Sequence, residues 1–160
     1  SVTGVQTCAL PISLASYVPE NAALMAPAFK GLGQDGLYYP STSTLMLMIV
    51  NTQKVKPEDA PKNWTDLLDP KWKGRLAFGH PGFSGYVGVW CVAMRKLYGW
   101  EFFEKLAKNN PRIGRSGNDP ITLLNAGECL VGLGPLATSL MTADKGNPIG
   151  IVYPTDGSVL

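Results

Sequence analysis

The sequence predicts an α/β fold with a mixed, largely parallel sheet flanked by helices. Three observations carry that expectation. From residue 75 onward, short apolar segments of strand length alternate with longer amphipathic ones. Turns rich in Gly, Pro, Ser and Asn separate them. One run, "LMLMIV" from Leu45 to Val50, is apolar at every position, the pattern of a strand covered on both faces.

Taken in order, "STLMLMIVNT" (Ser43 to Thr52) is the first strand, and a polar, proline-punctuated link with a short helix at Trp64 to Leu68 follows it. "RLAFG" (Arg75 to Gly79) is the next strand. The helix after it runs from Gly85 to Tyr98, since Val87, Trp90, Cys91, Met94, Leu97 and Tyr98 recur at helical spacing. "WEFFEKLAKNN" forms a second helix beyond Gly99, with Glu101, Glu104, Lys105 and Lys108 on a solvated face. "RIGR" (Arg112 to Arg115) is a weak strand. Asp119 can cap the next helix, with Pro120 at its first position and Gly127 terminating it. "CLVGLG" (Cys129 to Gly134) is a strand, Pro135 opens the helix "PLATSLMTAD", and "IGIVY" (Ile149 to Tyr153) closes the series. Strands joined through helices favour parallel pairing with right-handed crossovers.

Composition narrows the function classes. With 160 residues, 45% of them hydrophobic and 16% charged, the chain can bury a core. A formal net charge of +2, with no long basic run, speaks against nucleic acid as a partner. No apolar stretch is long enough for a membrane-spanning helix. Cys91 and Cys129 read as small buried apolar residues; no Cys/His cluster suggests a metal site, and no cofactor is expected. "VTGVQTCALPI" (Val2 to Ile12) reads as the translation of a sequencing-library adapter, so residues 1–13, Cys8 included, are set aside from the fold.

Catalysis finds little support. "LAFGHPGFSGYVGVWC" places Ser84 between a strand and a helix, as in a nucleophile elbow, but Tyr86 stands where the motif requires glycine. His80, the one histidine, precedes the serine, and reads as a polar turn residue. Asp66 and Asp69 read as caps. The chain is therefore expected not to be an enzyme.

What recurs is a construction: "FGHPGFSG", "RSGNDP" and "GLGP" each carry a strand through a turn into a helix start. In a parallel sheet with uniform crossovers all three lie at the carboxyl edge, where open α/β sheets bind ligands. Each helix start carries about half a positive elementary charge and unpaired N–H groups, which suits anionic or oxygen-rich ligands. Ser84, Ser116 and Asn118 can add hydrogen bonds, or can serve simply as caps.

The segment "VNTQKVKPEDAPKNWTDLLDPKWKGRLAFGHP" (Val50 to Pro81), with its P-x-x-W-x-D-L-x-D-P-x-W-K-G pattern, resembles the entry into the second lobe of iron(III)-type solute-binding proteins of ABC transporters. "GWEFFEKLAKNNPRIGRSGNDPITLLNAGECLVGLGP" continues in the family's order, and "VYPTDGSVL" is similar to its return toward the hinge. The resemblance implies a two-lobed, periplasmic-binding-protein-like fold that closes on its solute, located in the periplasm or outside the cell. It implies a piece of that fold: residues 14–44 as a remnant of the first lobe, 45–51 as the crossing strand, 52–148 as the second lobe and 149–160 as the return. No signal peptide is visible in such a piece. The implied partners are a small polar or anionic solute or ion (iron(III), phosphonate, thiamine or polyamine class) and the permease, with the receptor a monomer. The implied contacts are Tyr39 and Ser41, then Gly82, Ser84 and Gly85, then Ser116, Gly117 and Asn118, and finally Gly134 and Pro135. Iron-holding members use adjacent tyrosines after the strand that follows "GE"; here "CLVGLGPLATSL" has none, and the pair Tyr38 and Tyr39 lies elsewhere, either lining the cleft or packing the hinge. The alternative class is the ligand-sensing effector domain of a regulator, which shares this type of fold.

Overall fold

The computed structural model describes residues 15–27, 30, 36–39 and 44–158; Ser41, Phe29 and the adapter-like segment lie outside them. The chain divides into two units, Ser1–Ser43 and Thr44–Leu160. In the first, Glu20–Leu24 form a 3-10 turn, and the Tyr17 N–H donates to the Gly36 carbonyl at 3.0 Å. Leu24 is 81% exposed there, and Tyr38 and Tyr39 are half-buried.

The second unit holds the sheet. In chain order its elements are β1 (Met46–Asn51), β2 (Leu76–Phe78), α1 (Gly85–Tyr98), α2 (Glu101–Lys108), β3 (Arg112–Ile113), α3 (Asp119–Asn125), β4 (Val131–Pro135), α4 (Leu136–Asp144) and β5 (Ile149–Val152). A 3-10 turn at Trp64–Leu68 sits in the link between β1 and β2. The strands lie in the order β3-β2-β4-β1-β5. β2 pairs parallel with β3 and β4, whereas β1 is antiparallel to both β4 and β5. Four strands thus run one way and the apolar run of β1 is inserted between two of them in the opposite sense.

Side-chain alternation divides the core between the two faces. On one face Met46, Met48, Val50, Leu76, Phe78, Val131 and Leu133 meet the buried side of α1 and α2 together with Trp64 and Trp72. Trp90 is the centre of this layer: it stacks on Phe78 at 5.4 Å and meets Trp64, Phe102 and Phe103 edge-on at 5.7 to 6.1 Å. On the opposite face Ile49, Ala77 and Ile149 pack with Ile121, Leu124 and Cys129. Here β4 contributes glycines. A Cβ on Gly132 would lie 2.8 Å from the Ala77 carbonyl and 3.2 Å from Pro120, and one on Gly134 would lie 2.9 Å from the Ser139 hydroxyl. Absent side chains at alternate positions let α3 and α4 lie close against the sheet.

Four local expectations are corrected. Leu97 is 55% exposed, because it lies in the last turn of α1 and about 60° from Met94 around the helix, on the flank of the buried stripe. Pro135 ends β4 opposite Met46 with extended φ and ψ, so Leu136, not the proline, begins the helix. Asp119 is the first residue of α3, and its carboxylate turns back to accept the N–H groups of Arg115 at 2.7 Å and Ser116 at 3.0 Å. Cys91 is half-buried while Cys129 is buried, and burial pushes both thiols up.

Candidate functional site

β2, β3 and β4 are parallel neighbours, so the turns that follow them open on the same edge of the sheet. At a strand spacing of about 4.8 Å, the three turns span roughly 10 Å. Gly79 brings the first two into contact: a Cβ there would lie 2.7 Å from the Ser116 carbonyl and 3.0 Å from the Gly117 Cα. Gly117 in turn faces Ser84, whose Oγ lies 3.0 Å from the place a Cβ would take. Ser84, Ser116 and Gly117 therefore gather at one point, with Gly82, Gly85 and Asn118 exposed around it.

The three helix starts are not equivalent. At α4, Leu136 N–H donates to the Leu45 carbonyl at 2.9 Å and Ala137 N–H to the Thr44 hydroxyl at 3.4 Å, so residues leading into β1 already occupy those donors. Gly134 and Pro135 are themselves buried. At α3, Asn118 N–H donates to Ser116 Oγ at 2.9 Å and Asp119 N–H to the Ser116 carbonyl at 3.4 Å. Those two bonds and the Asp119 carboxylate engage the N–H groups of Arg115, Ser116, Asn118 and Asp119. The hydrogen bond from Ser116 N–H, with that from Arg115, holds the Asp119 carboxyl below the usual carboxylate range.

α1 differs. Ser84 is its N-cap and its Oγ accepts only a long bond, 3.5 Å, from Val87 N–H. No protein group among the described residues takes the Gly85 and Tyr86 N–H groups. Of the three turns, the one after β2 is thus the one with open donors beside a hydroxyl.

The elbow chemistry is missing. His80 Nδ1 accepts the Gly82 N–H at 3.0 Å and its ring leans on Phe83 at 4.9 Å; the Ser84 N–H donates to the His80 carbonyl at 3.1 Å, but no hydrogen bond joins the His80 ring to the Ser84 hydroxyl. Among the described residues no base is hydrogen-bonded to the Ser84 hydroxyl, the contact that activates a serine nucleophile. Among the described residues no group of three or more His, Cys, Asp or Glu side chains could hold a metal ion, and no helix is long and apolar enough to cross a membrane. Tyr39 belongs to the other unit.

The polar groups that fasten the sheet unit internally are not legible in the sequence. Asn51, buried at the end of β1, donates to the Leu124 carbonyl at 2.7 Å and accepts from Gln53 and Lys54 N–H. Asn109, also buried, donates from Nδ2 to the Leu67 and Asp69 carbonyls, each at 2.9 Å. Asp156 Oδ2 accepts from Trp64 N–H at 3.0 Å and from the Tyr98 hydroxyl, tying the segment after β5 to the large core. An isolated Asn or Asp in a loop offers no pattern by which such a role could be read.

Known proteins share this arrangement. The chain is 27% identical over 157 residues to a Salmonella typhimurium protein named "Putative 2-aminoethylphosphonate-binding periplasmic protein", covering 95% of this chain and 44% of that one. Its structure is similar to the periplasmic binding protein AfuA from Actinobacillus pleuropneumoniae, solved with fructose-6-phosphate bound: TM-score 0.81, 27% identity, 91% of this chain and 48% of that one. Iron-bound HitA from Pseudomonas aeruginosa matches with a TM-score of 0.67 and 26% identity over 92% of this chain and 48% of its own. The chain therefore spans less than half the length of these proteins. Residues 11–160 match the model of one family, and the chain belongs to it: the bacterial extracellular solute-binding proteins.

Proposed function

We propose that this chain contributes the second lobe of the solute-binding component of an ABC importer, capturing a small polar or anionic solute and delivering it to a permease without catalysing a reaction. The observation that carries this reading is the open start of α1 at the carboxyl edge, where Ser84 meets the Ser116–Gly117 turn and no base accompanies the hydroxyl. Donors fixed by the backbone bind a solute without chemistry. Gly82, Ser84, Gly85, Ser116, Gly117 and Asn118 are the proposed contacts, with Gly134 and Pro135 setting the third turn beneath them and Tyr39 and Ser41 contributing from the first unit. Relatives whose names or titles mention a phosphonate, a sugar phosphate and iron define the solute classes to try. The periplasm, named for several of them, is the proposed location.

The test is binding by the full-length protein. Titration calorimetry against 2-aminoethylphosphonate, fructose-6-phosphate, thiamine and ferric ion should give a dissociation constant in the micromolar range or tighter for at least one, with the solute recovered unchanged. Failure to bind any of the four, or turnover of a bound one, would overturn the proposal. Genes for a permease and an ATPase beside the intact gene would support the importer; a fused helix-turn-helix would favour the sensing domain of a regulator.

A further inference from the structure

Beside the open start of α1 stands a cation that forms no ion pair among the described residues. Arg115, exposed in the turn between β3 and α3, holds its guanidinium carbon 5.3 Å from the centroid of the Phe83 ring, in the turn between β2 and α1. Phe83 is 66% exposed, so much of its ring lies at the surface. His80 flanks the same ring. Two ion pairs form among the described residues, Lys105 with Glu101 and Arg112 with Glu128, and Arg115 is in neither. The nearest acid in sequence is Asp119, and one of its oxygens, Oδ2, takes the backbone N–H groups of Arg115 and Ser116, which pins the loop rather than pairing with the guanidinium.

We propose that Arg115, seated on the exposed ring of Phe83, reads an oxyanion on the bound solute: a phosphate, phosphonate or carboxylate. This rests on the solute-binding reading above and names its substrate class. A ring face attracts the cation and orients its plane, so less side-chain freedom is lost when the fork of N–H groups meets a second partner. The fork then presents two parallel donors to an oxyanion, the geometry in which arginine surpasses lysine. Ser84 and Ser116 stand on the adjoining turns, and His80, its Nδ1 engaged by Gly82, can offer Nε2–H outward. Apart from Asp119, no carboxylate belongs to the turns that build this corner, so an anion meets donors and a cation would meet little to hold it.

The full-length protein and three variants, Arg115→Met, Arg115→Lys and Phe83→Leu, test this by calorimetric titration with fructose-6-phosphate, 2-aminoethylphosphonate, acetate, thiamine and ferric ion. The wild type should bind at least one of the first three, and which one distinguishes phosphorus from carboxylate recognition. Arg115→Met should weaken that binding about 10- to 100-fold. Arg115→Lys should fall between, and Phe83→Leu should lose a few-fold, while thermal melting stays within a degree or two because the residues are exposed. Wild-type affinity in Arg115→Met overturns the proposal. So does a wild type that binds none of the three oxyanions: if it then binds thiamine or ferric ion, solute capture stands and the role of Arg115 falls, whereas if it binds nothing both fall.

Discussion

Asp119 shows how one residue can be placed correctly and assigned the wrong task. Its position before Pro120 marks a helix start, and the helix begins there; yet the carboxylate serves the Arg115 and Ser116 N–H groups of the preceding turn instead of capping its own helix. Sequence spacing registers the turn but not which way a side chain folds back. Those bonds favour the ionised form, and a carboxyl whose folded pKa is lowered contributes stability that is present above its unfolded value of about 4 and lost as pH falls through the folded value. Asp119→Asn should therefore lower the urea midpoint at pH 7, and the gap between variant and wild type should narrow as pH drops below about 4. A gap of constant size across that range would show that the charge plays no part. Ser84 was legible as a residue at the carboxyl edge of the sheet, because strand, turn and helix are each written locally. That its neighbours at α3 and α4 would have their donors already occupied was not legible, since the occupants at α4, Thr44 and Leu45, come from a strand entry some ninety residues earlier.

At the scale of elements, periodicity reveals burial more faithfully than direction. The helix Gly85–Tyr98 has the bounds its apolar spacing indicates, and every residue of β1 is buried, as its unbroken apolar run requires. That β1 runs against its neighbours is absent from the pattern, because a strand covered on both faces looks the same in either sense. β4 is more informative than it first reads: "VGLG" alternates residues for the aromatic layer with glycines for the close helices. Filling one of those glycines should be costly on that face alone. Gly132→Val would drive its branches into the Ala77 carbonyl and the Pro120 ring, which cannot swing aside, and against the Leu124 side chain. Overpacking of this kind costs on the order of 1–3 kcal/mol or more. The expected readout is a lowered denaturation midpoint with the large aromatic layer intact, seen as unchanged near-ultraviolet circular dichroism from Trp64 and Trp90 below the transition. A variant as stable as the wild type would mean that α3 is free to lift.

For the sheet unit as a whole, β1 starts at the carboxyl edge of β2, β3 and β4, opposite Pro135, and β5, antiparallel to β1, ends there. What holds these two strands determines how firmly that edge is mounted. β1 is held by sheet pairing on both sides. The segment after β5 is held by side chains: Asp156 accepts from Trp64 N–H and the Tyr98 hydroxyl, Trp64 Nε1–H donates to the Gly157 carbonyl at 2.8 Å, and Thr155 N–H donates to the Lys62 carbonyl at 3.0 Å. Burial, then the hydrogen bond to Asp156 and its charge, push the Tyr98 hydroxyl up to about 12. A tyrosine whose folded pKa is raised supplies stability that is complete below its unfolded value of about 10 and disappears as pH rises through about 12. Alkaline titration should therefore release this segment before the sheet itself opens. Hydrogen exchange with mass detection, corrected for the intrinsic rate at each pH, should show loss of protection in residues 153–158 and at Trp64 above pH 10, with β1 and β4 still protected. Tyr98→Phe should show that loss already at pH 7 and no added pH step, while Asp156→Asn, which keeps a hydrogen-bonding group but removes the charge, should bring Tyr98 back toward its ordinary value and shift the step to lower pH. If all three proteins lose protection together across the unit, the Tyr98–Asp156 contact is part of the global core and not a separate fastening of the segment after β5.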